Sequence, residues 1–160
     1  MIVKSLLDFI SQSPEQTALT GELLGSVCEG GEVLWLEGPL GAGKTVLAQG
    51  IARSLGIVEP VTSPTFTVLK EYQGRLALCH FDFYRLAGME RSPELEFAEY
   101  QSPDAVCVVE WAEHAPDFLP EEYLRLQLRF VSQTKRAVAL MPYGARYEAL
   151  SRRFQAIAFR

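Results

Sequence analysis

No asparagine occurs anywhere in the 160 residues, so the chain lacks the Asn-Lys-x-Asp element with which GTPases read guanine. Cysteine is sparse. Cys28, Cys79 and Cys107 are odd in number, widely spaced and set in apolar surroundings, a pattern of reduced thiols used as small core residues rather than of a disulfide framework or metal site. No apolar run nears membrane-spanning length. Residues 1–10 place Lys4 and Asp8 around an apolar stretch too brief for a signal segment, so the expectation is a cytoplasmic protein without membrane contact. The net charge of −5 supplies no basic field to attract nucleic acid or anionic lipid, which makes any nucleic-acid role indirect. Repeats and low-complexity stretches are also missing. Hydrophobic (48%) and charged (22%) fractions are those of an ordinary globular protein, and the length fits one domain over residues 1–160.

Against these absences stands one dense motif. Gly38-Pro39-Leu40-Gly41-Ala42-Gly43-Lys44-Thr45 fits the phosphate-binding pattern G-x-x-x-x-G-K-[ST]. Glycines at both ends admit backbone conformations closed to other residues, so successive N–H groups can turn inward around a phosphate. Lys44 is placed to reach the β- and γ-phosphates and the Thr45 hydroxyl to bind Mg²⁺, while the following helix adds its partial positive charge. Gly38, Leu40, Gly41, Ala42, Gly43, Lys44 and Thr45 are therefore the candidate nucleotide-binding residues. A chance glycine-rich turn is the competing reading; the apolar run before the loop and the helical run after it argue against that.

The flanking sequence supplies this context. Ser13-Pro14-Glu15-Gln16 reads as a helix start, with Ser at the N-cap, Pro at the first helical position and Gln as a capping-box partner. Ala18, Leu19, Leu23, Leu24 and Val27 repeat at helical spacing, and Gly30-Gly31 is expected to end that helix. Residues 33–36 form a buried strand and residues 45–55 a second helix, stopped by Gly56. Strands over 68–72 and 76–83 enclose Gln73-Gly74-Arg75 as a hairpin. Ser92-Pro93-Glu94 caps a short helix reaching about Tyr100. Residues 105–109 are continuously apolar, suited to a strand covered on both faces. Residues 123–131 and 136–141 suggest a second hairpin, and a helix over 146–159 closes the chain. The predicted fold is a P-loop NTPase-like three-layer α/β sandwich, its central sheet mostly parallel with antiparallel hairpin additions, and its nucleotide at the carboxyl ends of the strands.

Hydrolysis also needs carboxylates to hold Mg²⁺ and aim a water. Glu110 follows the apolar strand in the Walker B manner. Asp82, inside His80-Phe81-Asp82-Phe83-Tyr84-Arg85, is either a functional carboxylate or the polar face of a hairpin strand. His80 has no metal-spaced partner and reads as structural. Thr62-Ser63-Pro64-Thr65-Phe66-Thr67 is either a polar loop or a segment that senses the γ-phosphate.

Leu40-Gly41-Ala42-Gly43-Lys44-Thr45, Ser63-Pro64-Thr65-Phe66-Thr67, His80-Phe81-Asp82-Phe83-Tyr84-Arg85, Glu94-Leu95-Glu96-Phe97 and Glu110-Trp111 occur in the order and spacing of the TsaE (YjeE) family, which the chain resembles. These are bacterial ATPases required for threonylcarbamoyladenosine modification of tRNA. The resemblance runs from about Ser13 to Trp111 and is weak beyond about Phe130. It implies that the loop binds ATP and that Thr45, Glu110 and Asp82 hold Mg²⁺. It makes Lys44, Thr65, Asp82 and Glu110 the catalytic set, residues 63–67 a switch-like loop, and Pro14 and Thr17 the border of the adenine. It further implies TsaD and TsaB-like subunits as partners, with tRNA touched only through them. Family members usually have aspartate and a second threonine where this chain has Pro39 and Val46. Pro39 removes one N–H, so phosphate contact must rest on donors from Gly41 to Thr45. A small-molecule kinase shares the loop but needs an arginine-bearing lid, and no arginine-rich insertion is present. An ATP-binding interaction protein without hydrolysis is the other alternative. Trp111 is either a core aromatic or a reporter of nucleotide state.

Overall fold

The computed structural model describes residues 6–64, 67–87 and 97–159. Its local geometry begins as the capping residues dictate. Ser13 caps helix α1 (Pro14–Ser26), its hydroxyl accepting from Gln16 N–H at 3.2 Å. The reciprocal half of the capping box is displaced by one residue: Gln16 Oε1 accepts from Gln12 N–H at 2.8 Å rather than from Ser13. The helix ends at Ser26, ahead of the expected Gly30-Gly31, which instead turn the chain at φ 112° and 89° toward strand β2 (Val33–Glu37). Helix α2 (Lys44–Ser54) follows the glycine-rich loop and stops, as predicted, before Gly56, which takes the left-handed φ of 77°.

Strands β3 (Leu69–Tyr72) and β4 (Ala77–Asp82) form the first hairpin, β5 (Ala105–Glu110) is buried at all six positions, and β6 (Tyr123–Phe130) and β7 (Arg136–Tyr143) form the second hairpin. Helix α3 is Phe97–Tyr100, its proposed cap at Ser92 lying outside the described residues, and α4 is Ala145–Ala158. One strand lies beyond the predicted set. β1 (Leu7–Ser11) pairs antiparallel with β7, turning Leu7 and Phe9 toward the core while Asp8 and Ile10 face solvent. Its alternation is the half-buried strand signal, spread over only five residues.

All seven strands join one sheet in the order β1-β7-β6-β2-β5-β4-β3. The β6-β2-β5-β4 centre is parallel and the additions are antiparallel. Helices α1, α2 and α4 cover one face through Leu24, Leu47, Ile51, Leu150 and Phe154 packed on Leu34, Val106, Val108 and Leu126. The opposite layer is much thinner. Among the described residues it consists of α3, short 3-10 turns and an aromatic cluster of Phe81, Phe83, Phe97 and Phe118.

The α1–α2 contact departs from the leucine periodicity of α1. Leu19 is 48% exposed, and the inward face is Thr17, Thr20, Gly21, Leu24 and Gly25. A β-carbon on Gly21 would stand 2.3 Å from the Leu47 carbonyl oxygen, and one on Gly50 would stand 2.0 Å from that of Ala18. The two backbones therefore touch, which brings the first turn of α1 beside the loop that opens α2.

Candidate functional site

The glycine-rich loop leaves the carboxyl end of β2 and enters α2 at Lys44, passing through Gly41 at φ 81° and Gly43 at φ 100°. These left-handed values would strain a residue bearing a β-carbon. Ala42 N–H turns back onto the Pro39 carbonyl at 3.0 Å. No backbone carbonyl among the described residues accepts from the N–H groups of Gly41, Gly43, Lys44 or Thr45. With the Ala42 N–H occupied by the Pro39 carbonyl, four N–H groups remain open rather than the full run from Gly41 to Thr45.

Around this cradle opens a cavity of about 580 Å³. Leu40, Gly41, Gly43, Lys44 and Thr45 form its floor, Pro14 and Thr17 of α1 one wall, and Asp82 and Glu110 another. All of these are candidates that the sequence brings forward, and the fold gathers them. Gly38 and Ala42 stand behind the wall instead. A β-carbon on Gly38 would meet the Leu128 carbonyl oxygen at 2.7 Å, so this glycine permits close approach of loop and sheet, and Ala42 is buried beneath the loop. Ser63 reaches the cavity wall; Thr65 lies outside the described residues.

Asp82 and Glu110 are register partners on the parallel strands β4 and β5, and both are buried. Asp82 is therefore a strand-end carboxylate inside the cavity, not a solvated hairpin face. Its Oδ1 accepts from Tyr84 N–H at 2.9 Å, and Ser63 Oγ lies 3.5 Å from Oδ2. His80 Nε2 meets Glu110 Oε2 at 2.7 Å with both side chains buried. An ionised carboxylate only accepts, so toward a charged Glu110 this nitrogen is the donor. His80 thus fixes one oxygen of Glu110, a placement its neighbours in sequence do not reveal. Among the described residues no three His, Cys, Asp or Glu side chains cluster as a ready metal site. Two carboxylates and the Thr45 hydroxyl instead suit a hard cation that keeps waters and takes further oxygens from a bound phosphate.

Lys44 is only 6% exposed, yet its ammonium has no hydrogen-bond partner among the described residues. It rests 3.7 Å from the centroid of the Trp111 ring. Desolvation holds its pKa below the ordinary lysine value, opposed in decreasing order by Glu110, Glu113 and Asp82. Trp111 itself takes the left-handed φ of 58°, uncommon for a bulky residue, and packs edge-on to Tyr84 at 5.2 Å. It is a cavity-wall aromatic rather than a residue of the main core.

Four further cavity residues are not among the candidates that the sequence brings forward: Val46, Tyr84, Thr134 and Arg136. Tyr84 belongs to a motif already singled out, whereas Thr134 and Arg136 come from the β6–β7 turn, where no local spacing marks them.

The glycine-rich loop, the buried lysine and the two carboxylates thus meet in one cavity at the carboxyl ends of parallel strands. The family model "Threonylcarbamoyl adenosine biosynthesis protein TsaE" matches residues 11–138. A tRNA threonylcarbamoyladenosine biosynthesis protein TsaE from Treponema pallidum is 41% identical over 131 residues, covering 82% of this chain and 97% of the relative. Its namesake from Bacillus subtilis is 41% identical over 139 residues, covering 86% and 87%. The crystal structure of Bacillus YdiB superposes with a TM-score of 0.84 at 35% identity, covering 99% of both chains. This chain belongs to the TsaE family.

Proposed function

We propose that the chain is a Mg²⁺-dependent ATPase, a single P-loop domain that supports N6-threonylcarbamoyladenosine modification of tRNA, the process for which its relatives are named. One observation carries the ATP reading: a buried lysine ammonium that finds no acceptor among the described residues, in a cavity walled by four backbone N–H groups to which those residues offer no carbonyl and by two buried carboxylates. A buried cation unmatched within the protein is most simply matched by a ligand anion.

The triphosphate lies on the N–H groups of Gly41, Gly43, Lys44 and Thr45, with Lys44 leaving the Trp111 face to meet the β- and γ-oxygens. The base lies between the loop and Pro14 and Thr17. Thr45, Glu110 and Asp82 would hold Mg²⁺, which would supply positive charge to offset that of the β- and γ-phosphates. His80 keeps Glu110 aimed by occupying its Oε2. Asp82, tethered by Tyr84 N–H, orients the attacking water. That water adds to the γ-phosphorus and the bond to the β-phosphate oxygen breaks, giving ADP, inorganic phosphate and a proton. Residues 63–67, with Thr65, act as the switch-like segment that senses the γ-phosphate when TsaD and TsaB-like subunits dock beside it in the cytoplasm. Hydrolysis then resets the complex, and tRNA is reached only through those subunits.

The test is phosphate release from Mg-ATP by the purified chain, alone and with TsaD–TsaB. Slow turnover that rises with partners is expected, with Glu110→Gln and Asp82→Asn each lowering it by about 10²-fold or more while ATP still binds. Transfer of phosphate to a small acceptor rather than to water, or binding with no phosphate release under any condition, overturns the ATPase assignment.

A further inference from the structure

Arg136, the first residue of β7, sits in the cavity wall, but its guanidinium is turned toward protein backbone. Nε donates to the Ala42 carbonyl at 3.1 Å and one terminal nitrogen to the Gly41 carbonyl at 3.0 Å. The other terminal nitrogen donates to the carbonyls of Ser132 at 2.7 Å and Lys135 at 3.0 Å, with Gln133 at 3.5 Å. The group also lies 4.8 Å from the centroid of the Phe130 ring. A guanidinium has five N–H donors in a rigid plane. Four are directed at carbonyls, two on the glycine-rich loop and two on the β6–β7 turn. Too few remain for a bidentate grip on a phosphate.

The consequence lies in the peptide planes. In a trans peptide the carbonyl of one residue and the N–H of the next point in opposite directions. A donor that holds the Ala42 carbonyl on one side therefore sets the Gly43 N–H on the other, and Gly43 N–H is among those with no carbonyl acceptor. Gly43, at φ 100°, has the freedom to rotate that peptide away, and nothing within the loop itself holds it.

We infer that Arg136 is a positioning residue that sets the glycine-rich loop in its anion-binding form, tying the loop's peptide planes to the β6–β7 turn without itself binding phosphate. The inference rests on the ATP reading above. Its geometry demands a planar fork, not merely a positive charge, so lysine should fail to replace it.

The experiment measures Kd by calorimetry for ATP and for inorganic tripolyphosphate, both with Mg²⁺, in the wild-type chain and in Arg136→Lys, with Arg136→Gln as a second variant should the first not fold. The expected result is a loss of about tenfold or more for both ligands in Arg136→Lys, with the circular dichroism spectrum retained. Loss of ATP affinity alone would mean that Arg136 acts on the base, and full affinity in Arg136→Lys would mean that charge suffices; either overturns the inference. A wild-type chain that binds neither ligand brings down the ATP reading itself. Binding by wild type with no loss in the variants brings down only the role of Arg136.

Discussion

Replacing Lys44 by methionine should make the protein more stable and nearly unable to bind ATP. Methionine is one atom shorter but keeps an apolar chain beside the Trp111 ring, and it lacks the ammonium of a residue that is 6% exposed and has no acceptor among the described residues. Leaving such a donor buried costs about 1–3 kcal/mol, and a cation–π contact returns about 0.5–2 kcal/mol. The carboxylates of Glu110, Glu113 and Asp82 return part as well, but desolvation outweighs them, because the net pKa of Lys44 is lowered. A lysine whose folded pKa lies below its unfolded value costs stability at every pH below the folded pKa. The cost shrinks as pH rises between the two values and vanishes above the unfolded one. The expected gain at neutral pH is therefore about 1 kcal/mol, or about 2–4 °C in thermal midpoint for a chain of this size. It should fade toward alkaline pH. ATP affinity, followed by calorimetry on the same samples, should fall by about 100-fold or more, since the one lysine that lines the cavity among the described residues is gone. A Lys44→Met chain that melts lower than wild type at neutral pH would refute the claim that this cation is held against a net cost, and unchanged ATP affinity would refute its role in binding.

Gly50→Ala ordinarily stabilises a helix by about 1 kcal/mol, but here its β-carbon would stand 2.0 Å from the Ala18 carbonyl oxygen, so thermal melting should show a loss of about 3 kcal/mol or more. A gain would mean that the α1–α2 backbones do not touch. His80→Phe keeps the ring's bulk and strips Glu110 of its buried donor; urea unfolding should show a loss of about 2 kcal/mol, and a loss within error would remove His80 as the holder of that carboxylate. Trp111 is one of the two tryptophans and the one on the cavity, so Trp111→Phe should abolish any ATP-induced change in tryptophan fluorescence while Trp35→Phe preserves it; the reverse pattern would place the ligand elsewhere.

Much of the local structure follows from what neighbouring residues decide between them. Ser13 and Pro14 start α1, Gly56 follows the end of α2, Gly74 turns the first hairpin, and the loop residues Gly41, Gly43, Lys44 and Thr45 carry their chemistry in spacing alone. Each signal acts over a few bonds, through a cap, a missing β-carbon or a fixed φ. Five residues of β1 make too short an alternation to stand out, and the inward face of α1 is masked because backbone contact selects glycine and threonine over the leucines that periodicity favours. The remainder arises only when the sheet assembles. Parallel pairing of β4 with β5 sets Asp82 against Glu110 and His80 beneath them, although each strand is legible without its partner. Folding also desolvates Lys44 against Trp111 and carries Arg136 from a distant turn onto the carbonyls of Gly41 and Ala42. Those placements follow from register and burial across the whole sheet, which no window of sequence contains, because a parallel pair is joined only through a long crossover and aligned only by the two cores it packs between.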